Sequence, residues 1–319
     1  MFLTVDGGGS KINAILYDEN MNVLRRARSG GVNFVQNTPE SCRRHIHECL
    51  TEVLAGVSHL ESAEAVIAGD KADFETELKN LVTLDNFEFI SEPTAGLMAA
   101  ACKDTGYLAL SGTGSDVFYM EGGRMRAAVG GWGPVLGDQG SGVWMGIRAI
   151  RAVSKACNGW GEKTLLKDML DEWFLENFGK KMYEIMVNTL EPYSVAARIV
   201  PVIGRAAALG DHVSLEIFTN AGIALGKQME VVMNRVRDEN DLNVYLCGGA
   251  WKACEVQKDA CEDYLRTHVD DGIRLIRPMF EHVAAGPVHR MIKQGVPREE
   301  IRDRLLGKFD KETINREAF

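Results

Sequence analysis

The sequence predicts an α/β protein of two domains. Short β-prone runs alternate with helical segments between Ala65 and Ile90, a pattern that builds a sheet with helices packed on it. At 319 residues, the chain is longer than a single hydrophobic core usually reaches. Several of the β-prone runs end in glycine-rich turns, and ligands of such sheets bind beyond strand ends. The glycine turns are therefore the places to look for a ligand site.

Three strands are predicted at the start of the chain. β-prone residues occupy Phe2–Val5, Ile12–Tyr17 and Asn22–Arg28, and the glycine-rich turn Asp6–Lys11 separates the first two. A strand follows this turn where a P-loop would need a helix, so the turn is not that motif. We interpret it as a hairpin turn that can curl around phosphates, with Asp6 able to hold a metal-bound water.

The following segments alternate between helices and strands. Apolar spacing and β-prone runs predict them over Pro39–Leu54 (helix), Ala65–Ala68 (strand), Asp73–Leu81 (helix), Phe87–Ile90 (strand) and Ala95–Cys102 (helix). Glu92 and Pro93 precede the last helix, and proline favours the first helical position, which predicts Glu92 as the N-cap. A carboxylate there also points towards a ligand, and capping alone is the alternative.

The stretch Ser111–Gly142 holds ten of the 33 glycines. Glycine is costly in a folded chain, so this density indicates tight turns or a ligand close to the backbone. It follows a predicted strand, Tyr107–Leu110, and begins with Ser111–Ser115, whose N–H and hydroxyl groups could cradle a phosphate. A hairpin is predicted from Val117 to Val129. Two plain turns and a helix cap are the alternative reading.

The remaining chain is predicted to be mostly helical. Helices are expected over Val143–Cys157, much of Lys163–Gly210, Ser214–Asp238, His282–Gln294 and within Pro297–Phe319. Two strands are expected, over Val244–Cys247 and Arg274–Arg277, and the first closes on the glycine turn Gly248–Ala250. Two glycines at a strand-to-helix turn let a flat ring approach the backbone.

Charge and composition exclude several classes of protein. The net charge of −9 and the pI near 5.4 argue against nucleic acid as a partner. No apolar run approaches the length that crosses a membrane, so we expect no membrane partner. The seven cysteines include no CxxC pair, which predicts free thiols and a reducing, cytoplasmic location.

Four glycine-marked turns together resemble a known family. The segments VDGGGSK, SGTGS, GGWGPVLGDQGSG and LCGGAWK, in this order, are similar to the N-acetylglucosamine kinase and BadF/BadG/BcrA/BcrD ATPase family of the actin-like ATPase superfamily. The resemblance implies two ribonuclease-H-like (actin-like ATPase) domains with an interdomain cleft. It also implies an ATP- and Mg²⁺-dependent kinase that phosphorylates an amino sugar such as N-acetylglucosamine or glucosamine.

The resemblance also implies the site residues. Asp6 would engage Mg²⁺ and take part in catalysis, while Asn33, Gly131, Trp132 and Asp138 would line the sugar pocket. The nucleotide would contact three turns and one helix, at Gly7, Gly8, Gly9, Ser10, Lys11, Ser111, Gly112, Thr113, Gly114, Gly248, Gly249, Ala250 and Gly286.

One position departs from the family pattern. These kinases carry an aspartate base before the small-residue helix, where this chain has Pro93, with Glu92 one residue earlier. The hypothesis is that Glu92 takes the proton of the sugar hydroxyl. The alternatives are a sugar- or nucleotide-binding sensor without catalysis, and an activator ATPase of a CoA-ester dehydratase or reductase.

The predicted domain boundaries follow from the same resemblance. Residues 1–110 would form the N-terminal domain and residues 111–299 the larger C-terminal domain. A helix from about 300 to 319 would pack back on the first domain. Dimers are common among proteins of this kind, which predicts a homodimer.

Overall fold

The computed structural model describes residues 1–9, 11–34, 37–189 and 192–309. It divides the chain into two compact units. Unit 1 contains Met1–Thr105, Gly122–Arg124 and the chain from Ile276 onward, and unit 2 contains Gly106–Glu121 and Met125–Leu275. In the described ranges, no helix is both long and apolar enough to span a bilayer.

Unit 1 is built on a five-stranded mixed sheet. Its strands lie in the order β3-β2-β1-β4-β5; β1 pairs antiparallel with β2 and parallel with β4, and β5 runs parallel to β4. The strands are β1 (Phe2–Gly7), β2 (Lys11–Tyr17), β3 (Val23–Gly30), β4 (His59–Ile67) and β5 (Thr83–Phe89). The carboxyl ends of β1, β4 and β5 therefore lie at one edge of the sheet.

The described residues of unit 1 also form five helices and a short 3₁₀ turn. They are α1 (Pro39–Val53), α2 (Lys71–Leu81), α3 (Glu92–Ala101), the 3₁₀ turn His282–Ala284, α12 (Ala285–Lys293) and α13 (Arg298–Leu306). Alternation along β1 sends Phe2 into one hydrophobic core and Leu3 into another. The first core contains residues of α3 and α12, and the second contains residues of α1 and α2.

The sheet of unit 2 has the same strand arrangement as that of unit 1. Its order is β10-β9-β6-β7-β8, so β6 takes the central place of β1, β7 and β8 those of β2 and β3, and β9 and β10 those of β4 and β5. The strands are β6 (Gly106–Ser111), β7 (Ser115–Glu121), β8 (Arg124–Gly130), β9 (Val244–Cys247) and β10 (Leu275–Ile276). Two five-stranded mixed sheets of one order are the fold that the sequence predicts.

Helices make up most of the rest of unit 2. They are α4 (Gly133–Leu136), α5 (Gly142–Cys157), α6 (Leu166–Phe178), α7 (Met182–Asn188), α8 (Pro192–Arg198), α9 (Val200–Ala208), α10 (His212–Arg235), the 3₁₀ turn Gly249–Lys252 and α11 (Glu255–His268). The core beside the sheet joins β6 and β7 to α10 and α11. A second core is formed among α5 to α10.

The unit boundaries differ from the predicted domain boundaries. The first unit ends at Thr105 rather than at 110, and the chain returns to unit 1 at Ile276 rather than near 300. The physical reason is hydrophobic burial, because Met279, Phe280 and Val288 lie in the same core as Phe2. Part of the predicted C-terminal helix, residues 310–319, lies outside the described residues.

A buried carboxyl group lies on the sheet of unit 1. Glu64, on β4, is only 4% exposed, and burial raises the pKa of its carboxyl group to about 7. The Ser62 hydroxyl donates to Glu64 Oε1 at 2.5 Å. This bond and the positive charge of Arg290 both lower the pKa of Glu64 and so partly oppose the effect of burial. The folded protein therefore holds a proton here that the unfolded chain loses at lower pH.

We predict that Glu64→Gln changes how stability depends on pH. Between pH 4.5 and about 7 the folded state binds the Glu64 proton more tightly than the unfolded state, so wild-type stability falls as pH rises through this window. Glu64→Gln should remove that fall, so at pH 8 its free energy of unfolding should exceed that of the wild type by up to roughly 3 kcal/mol. Urea unfolding at pH 5 and pH 8 measures it.

Glu61→Gln is the matched control on the same strand. The N-terminal ammonium bonds to Glu61 at 2.7 Å and lowers the pKa of this exposed carboxylate. Its removal should therefore change the pH dependence in the opposite direction. Equal changes in the two variants would contradict the assignment to Glu64.

Candidate functional site

Three loops meet at the carboxyl edge of the sheet in unit 1. The Val32 N–H donates to Gly8 O at 2.9 Å, and the Ala68 N–H donates to Gly7 O at 2.8 Å. A Cβ on Gly31 would lie 1.9 Å from Gly9 O, and one on Gly69 would lie 2.0 Å from Val32 O. Only glycine permits such backbone contact, so Gly31 and Gly69 are needed to bring the loops together.

Polar side chains fix these loops in place. Asn37 Nδ2 donates to Gly9 O at 2.9 Å and to Asn33 O at 3.2 Å, and His45 Nδ1 bonds to Gly31 O at 2.8 Å. Asn33, a predicted sugar contact, therefore lies in the loop that packs on the β1–β2 turn. Its sugar contact stays a prediction. Ser10, a predicted nucleotide contact in the same turn, lies outside the described residues.

Asp6 lies near the end of β1, at the same edge. Its side chain is 21% exposed, and burial raises the pKa of its carboxyl group, although His282 and Lys11 act in the opposite direction. The His282 Nδ1 lies 4.0 Å from Asp6 Oδ1. In the described part of the chain, no group of three His, Cys, Asp or Glu residues could enclose a metal. A single carboxylate still suits Mg²⁺, which keeps several waters and takes its other ligands from phosphates.

Glu92 begins α3, just beyond the end of β5. The sequence predicts Glu92 as the N-cap, but the cap is Ser91, whose hydroxyl accepts from the Thr94 N–H at 3.3 Å. The short serine side chain reaches this amide easily, which explains the correction. Glu92 is instead the first helical residue, exposed, where the helix dipole favours a negative charge.

The positions of Asp6 and Glu92 follow from the sheet. β4 separates β1 from β5, so the ends of these two strands lie roughly 10 Å apart across the sheet. The two carboxylates therefore belong to the same edge of the sheet.

Two glycine turns of unit 2 pack against each other. Gly248 follows β9 with φ +99°, and a Cβ there would lie 2.3 Å from Ser111 O. Thr113, Gly248 and Gly249 are exposed, so the two turns present one continuous backbone surface. Ala250 is buried, 6% exposed. The structure thus brings together two of the turns that the sequence predicts for the nucleotide.

The Ser111–Ser115 turn is held firmly by its surroundings. The Gly112 N–H donates to Gly114 O at 2.9 Å, and the Gly142 and Val143 N–H groups donate to Gly112 O and Thr113 O. The Ser115 N–H donates to the Asp138 carboxylate. Two of the N–H groups expected to be free for a phosphate are therefore already bonded within the protein.

Asp138 joins this turn to the next one. The Gly133 N–H donates to Asp138 Oδ1 at 3.1 Å, and a Cβ on Gly114 would lie 2.9 Å from Asp138 Oδ2. Burial raises the pKa of the Asp138 carboxyl group, and the Gly133 and Ser115 amides oppose the rise. The residue is 7% exposed and adopts φ +56°. The structure gives Asp138 a role in shaping the turns, and its sugar contact stays a prediction.

The other predicted sugar contacts lie on exposed backbone. Gly131 has φ +68°, and its N–H donates to Ser115 O at 3.1 Å. Trp132 is 72% exposed, and Val135 and Leu136 on the short helix α4 are exposed to a similar degree. An exposed aromatic ring beside glycines is available to a ligand. These contacts too stay predictions.

Gln257 is a residue that the sequence reading missed. It lies fully buried on α11, where its Nε2 donates to Ser111 Oγ at 3.1 Å and to Gly140 O at 2.9 Å. Ser111 Oγ in turn donates to Gly140 O at 2.7 Å. The signal was present, because Gln257 shares a helical face with the buried Cys261 and Leu265. A polar residue in an apolar stripe needs a buried partner.

Gly286 is a predicted nucleotide contact on a helix of unit 1. It is buried on α12, where a Cβ would lie 2.3 Å from Thr4 Oγ1. Close packing of the helix on β1 explains this glycine without a nucleotide. The nucleotide contact stays a prediction.

Comparisons with known proteins agree on one family. The model of the BadF/BadG/BcrA/BcrD ATPase family matches residues 3–283. The N-acetylmuramic acid/N-acetylglucosamine kinase of Clostridium acetobutylicum is 29% identical, over 77% of this chain and 83% of that protein. The N-acetyl-D-glucosamine kinase of Dictyostelium discoideum is 26% identical, over 74% of this chain and 80% of that protein.

One solved structure supports the fold. A ROK family glucokinase from Streptomyces griseus, solved with glucose and AMPPNP, has a TM-score of 0.59 at 15% identity. The match covers 90% of this chain and 96% of that one. At this identity the likeness is one of fold. It agrees with the repeated sheet order of the two units.

We predict that Gln257→Leu destabilises the Ser111–Ser115 turn. The substitution removes two buried hydrogen bonds of about 0.5–1.5 kcal/mol each, while the Ser111–Gly140 bond remains, so the loss of unfolding free energy should be about 1–3 kcal/mol. Gln228→Leu is the control, since Gln228 is only half-buried and donates to Gln139 O and to its own helix. Urea unfolding compares the two, and equal losses would contradict a special role for Gln257.

We predict that Gly286→Ala destabilises the protein through packing. The new methyl group would overlap Thr4, whose hydroxyl donates to Val283 O at 2.7 Å, and overpacking of this kind costs about 1–3 kcal/mol. Gly307→Ala is the control, because φ is −84° there and a Cβ would meet no atom within 4 Å. It should change the unfolding free energy by less than about 0.5 kcal/mol. Unchanged stability with weaker ATP binding in Gly286→Ala would instead support the nucleotide contact.

Proposed function

Because this chain belongs to the BadF/BadG/BcrA/BcrD ATPase family, we propose that it is a kinase that transfers a phosphoryl group from ATP to an amino sugar. N-acetylglucosamine is the preferred substrate in this proposal, since the matched relatives from Clostridium acetobutylicum and Dictyostelium discoideum are named as kinases of N-acetylated amino sugars, and glucosamine is the second acceptor to test. The observation that carries the proposal is the pair of carboxylates, Asp6 and Glu92, at one sheet edge beside glycine turns.

The glycine turns would bind the nucleotide. The exposed backbone of Thr113, Gly248 and Gly249 gives a flat surface on which a base and ribose can lie. In unit 1, the Gly7–Gly9 segment would face phosphates, with Lys11 adding a positive charge. The Ser111–Ser115 turn is held in place by Gln257 and Asp138 before a ligand arrives. Phosphoryl transfer chiefly requires such positioning of the groups that bind the phosphates.

Asp6 would hold Mg²⁺ together with the ATP phosphates. The bound ion would neutralise charge on the phosphates, and the partly buried carboxylate beside a lysine suits one ligand of a hydrated ion. Glu92 would accept the proton of the sugar hydroxyl as its oxygen bonds to the γ-phosphorus. The bond between this phosphorus and the bridging oxygen then breaks, and ADP leaves with the electron pair.

As the family resemblance implies, Asn33, Gly131 and Trp132 would contact the sugar. The exposed indole ring of Trp132 offers an apolar face to the carbon-bound hydrogens of a sugar. Asp138 would act on the sugar mainly through the turn that it shapes, since its carboxylate accepts the Gly133 and Ser115 amides. We further propose a cytoplasmic homodimer.

We predict that Glu92→Gln lowers the turnover of the best substrate by about a hundredfold or more, because a positioned base contributes that much to proton transfer. The KM for the sugar should change little. The measurement is ADP release, coupled to NADH oxidation, with glucosamine, N-acetylglucosamine, N-acetylmuramic acid and glucose as acceptors.

Glu299→Gln is the matched control for helix-end charge. Glu299 also lies in the first turn of a helix, α13, and is exposed, so its substitution should leave turnover unchanged. Full activity of Glu92→Gln would remove Glu92 from the role of base and leave the kinase intact.

Two other outcomes separate the remaining functions. Sugar or ATP binding by folded protein that never releases ADP in a sugar-dependent way would favour a non-catalytic sensor. A brown, oxygen-sensitive protein would favour an activator ATPase with an iron–sulfur cluster. The structure gives that second reading little support, because five of the seven cysteines are buried within the protein: Cys42, Cys49, Cys102, Cys247 and Cys261.

A further inference from the structure

A polar groove lies at the end of the unit 1 sheet away from the glycine turns. It measures about 330 Å³ and is lined by Phe2, Glu64, Glu88, Arg290 and other residues of β1, β4, β5 and α12. Phe2 is the first residue of β1, and Gly7 is the last. The groove is therefore roughly 17 Å along the strand from the carboxyl edge. Its volume is at the lower end of the range for small-molecule sites.

Strand register places polar groups on one face of the sheet. Ser62 pairs with Phe2 and with Asn86, while Glu64 pairs with Glu88. Side chains of paired residues point to the same side, so these groups form a floor over which α12 passes. Arg290, Lys293 and Gln294 of α12 complete the groove.

Two buried polar atoms beside the groove lack partners. Glu64 is 96% buried, and its Oε2 has no hydrogen-bond partner among the described residues. The Nε of Arg290, whose guanidinium lies 3.5 Å from the centre of the Phe2 ring, also has none in that part of the chain. An unsatisfied buried group costs about 1–3 kcal/mol, so both atoms favour any molecule that can bond to them.

The charges of the groove are already balanced. Lys293 bonds to Glu88, and the N-terminal ammonium bonds to Glu61. Glu64 and Arg290 remain as one acid and one base, so the groove favours a ligand without net charge. An anion would meet three glutamates, and a cation would meet Arg290 and Lys293.

A hydroxyl group satisfies both lone atoms at once. Its oxygen can accept from Arg290 Nε while its proton is donated to Glu64 Oε2. At the rim, the exposed amides of Asn86 and Gln294 can each donate and accept, which suits further hydroxyls. We propose that this groove binds a small, uncharged polyhydroxyl compound, such as a sugar, at a site separate from the glycine turns.

Glu64 and Arg290 line the groove, but the two lone atoms are shielded from solvent, so binding requires the arginine side chain to rotate. The site does not depend on the proposed kinase activity. A protein that transfers no phosphoryl group would bind the compound equally well.

The test is a titration of isotope-labelled protein that follows the arginine Nε–H signals by nuclear magnetic resonance. The probes are D-glucose, N-acetyl-D-glucosamine and myo-inositol, and Arg290→Lys assigns the Arg290 signal by its loss. We expect at least one probe to shift that signal to saturation. At pH 8, above the Glu64 pKa of about 7, Glu64→Gln should then weaken the affinity about tenfold, as expected for loss of a charged hydrogen bond. Glu75→Gln, a half-buried glutamate of α2 outside the groove, should leave it unchanged.

The rim gives a second, fold-neutral variant. Asn86→Ala combined with Gln294→Ala alters only exposed side chains and should also weaken binding. No shift of the Arg290 signal up to the solubility of every probe would overturn the proposal, leaving solvent as the only occupant. A shift caused only by inorganic phosphate or L-glutamate would overturn it too, as would equal affinity in wild type and the rim variant.

Discussion

Backbone-to-backbone contact between glycine turns is the constraint on which both units depend. In unit 1, Gly31 lies against Gly9 O, and in unit 2, Gly248 lies against Ser111 O. Each contact joins the turn after the central strand to a loop that belongs to another strand of the same sheet. A single methyl group at either place would push the loops apart, because the atom it meets is backbone and has little freedom to move. The binding proposed for each unit therefore depends on Gly31 and Gly248, which have no functional side chain.

The shared strand order makes this constraint intelligible. β1 and β6 occupy the same central place, each followed by an antiparallel hairpin partner and flanked by a parallel strand. In unit 2 the turn after the central strand is thus brought beside the loop after the parallel strand β9, whereas in unit 1 Gly31 belongs to the loop after β3. The two units then diverge in how they fix the turn. Unit 1 uses side-chain bonds from Asn37 and His45, and unit 2 uses a buried glutamine from α11.

Local sequence pattern predicted the elements well and their partners poorly. The first three strands, the hairpin around Gly122 and the long helix α10 follow directly from runs and periodicity, which are properties of neighbouring residues. The N-cap of α3 was wrong by one residue, since serine and glutamate adjoin and only the geometry selects Ser91. The return of the chain to unit 1 at Ile276 was missed because it depends on Phe280 and Val288 finding a distant core. Gln257 was missed for the same reason: its partners lie more than a hundred residues away.

Asp138 is a predicted sugar contact that also supports the structure of two turns. The sequence pattern divides Ser111–Gly142 into a phosphate turn and a sugar segment, yet Asp138 accepts one amide from each, Ser115 and Gly133. Because these two donors hold one carboxylate, a movement of the Trp132 segment changes the support of the Ser115 turn. A ligand that moved one segment would therefore also disturb the other, because both are bonded to the Asp138 carboxylate. A substitution of Asp138 would disturb both turns at once, so a loss of sugar affinity in such a variant would not by itself place the carboxylate against the sugar.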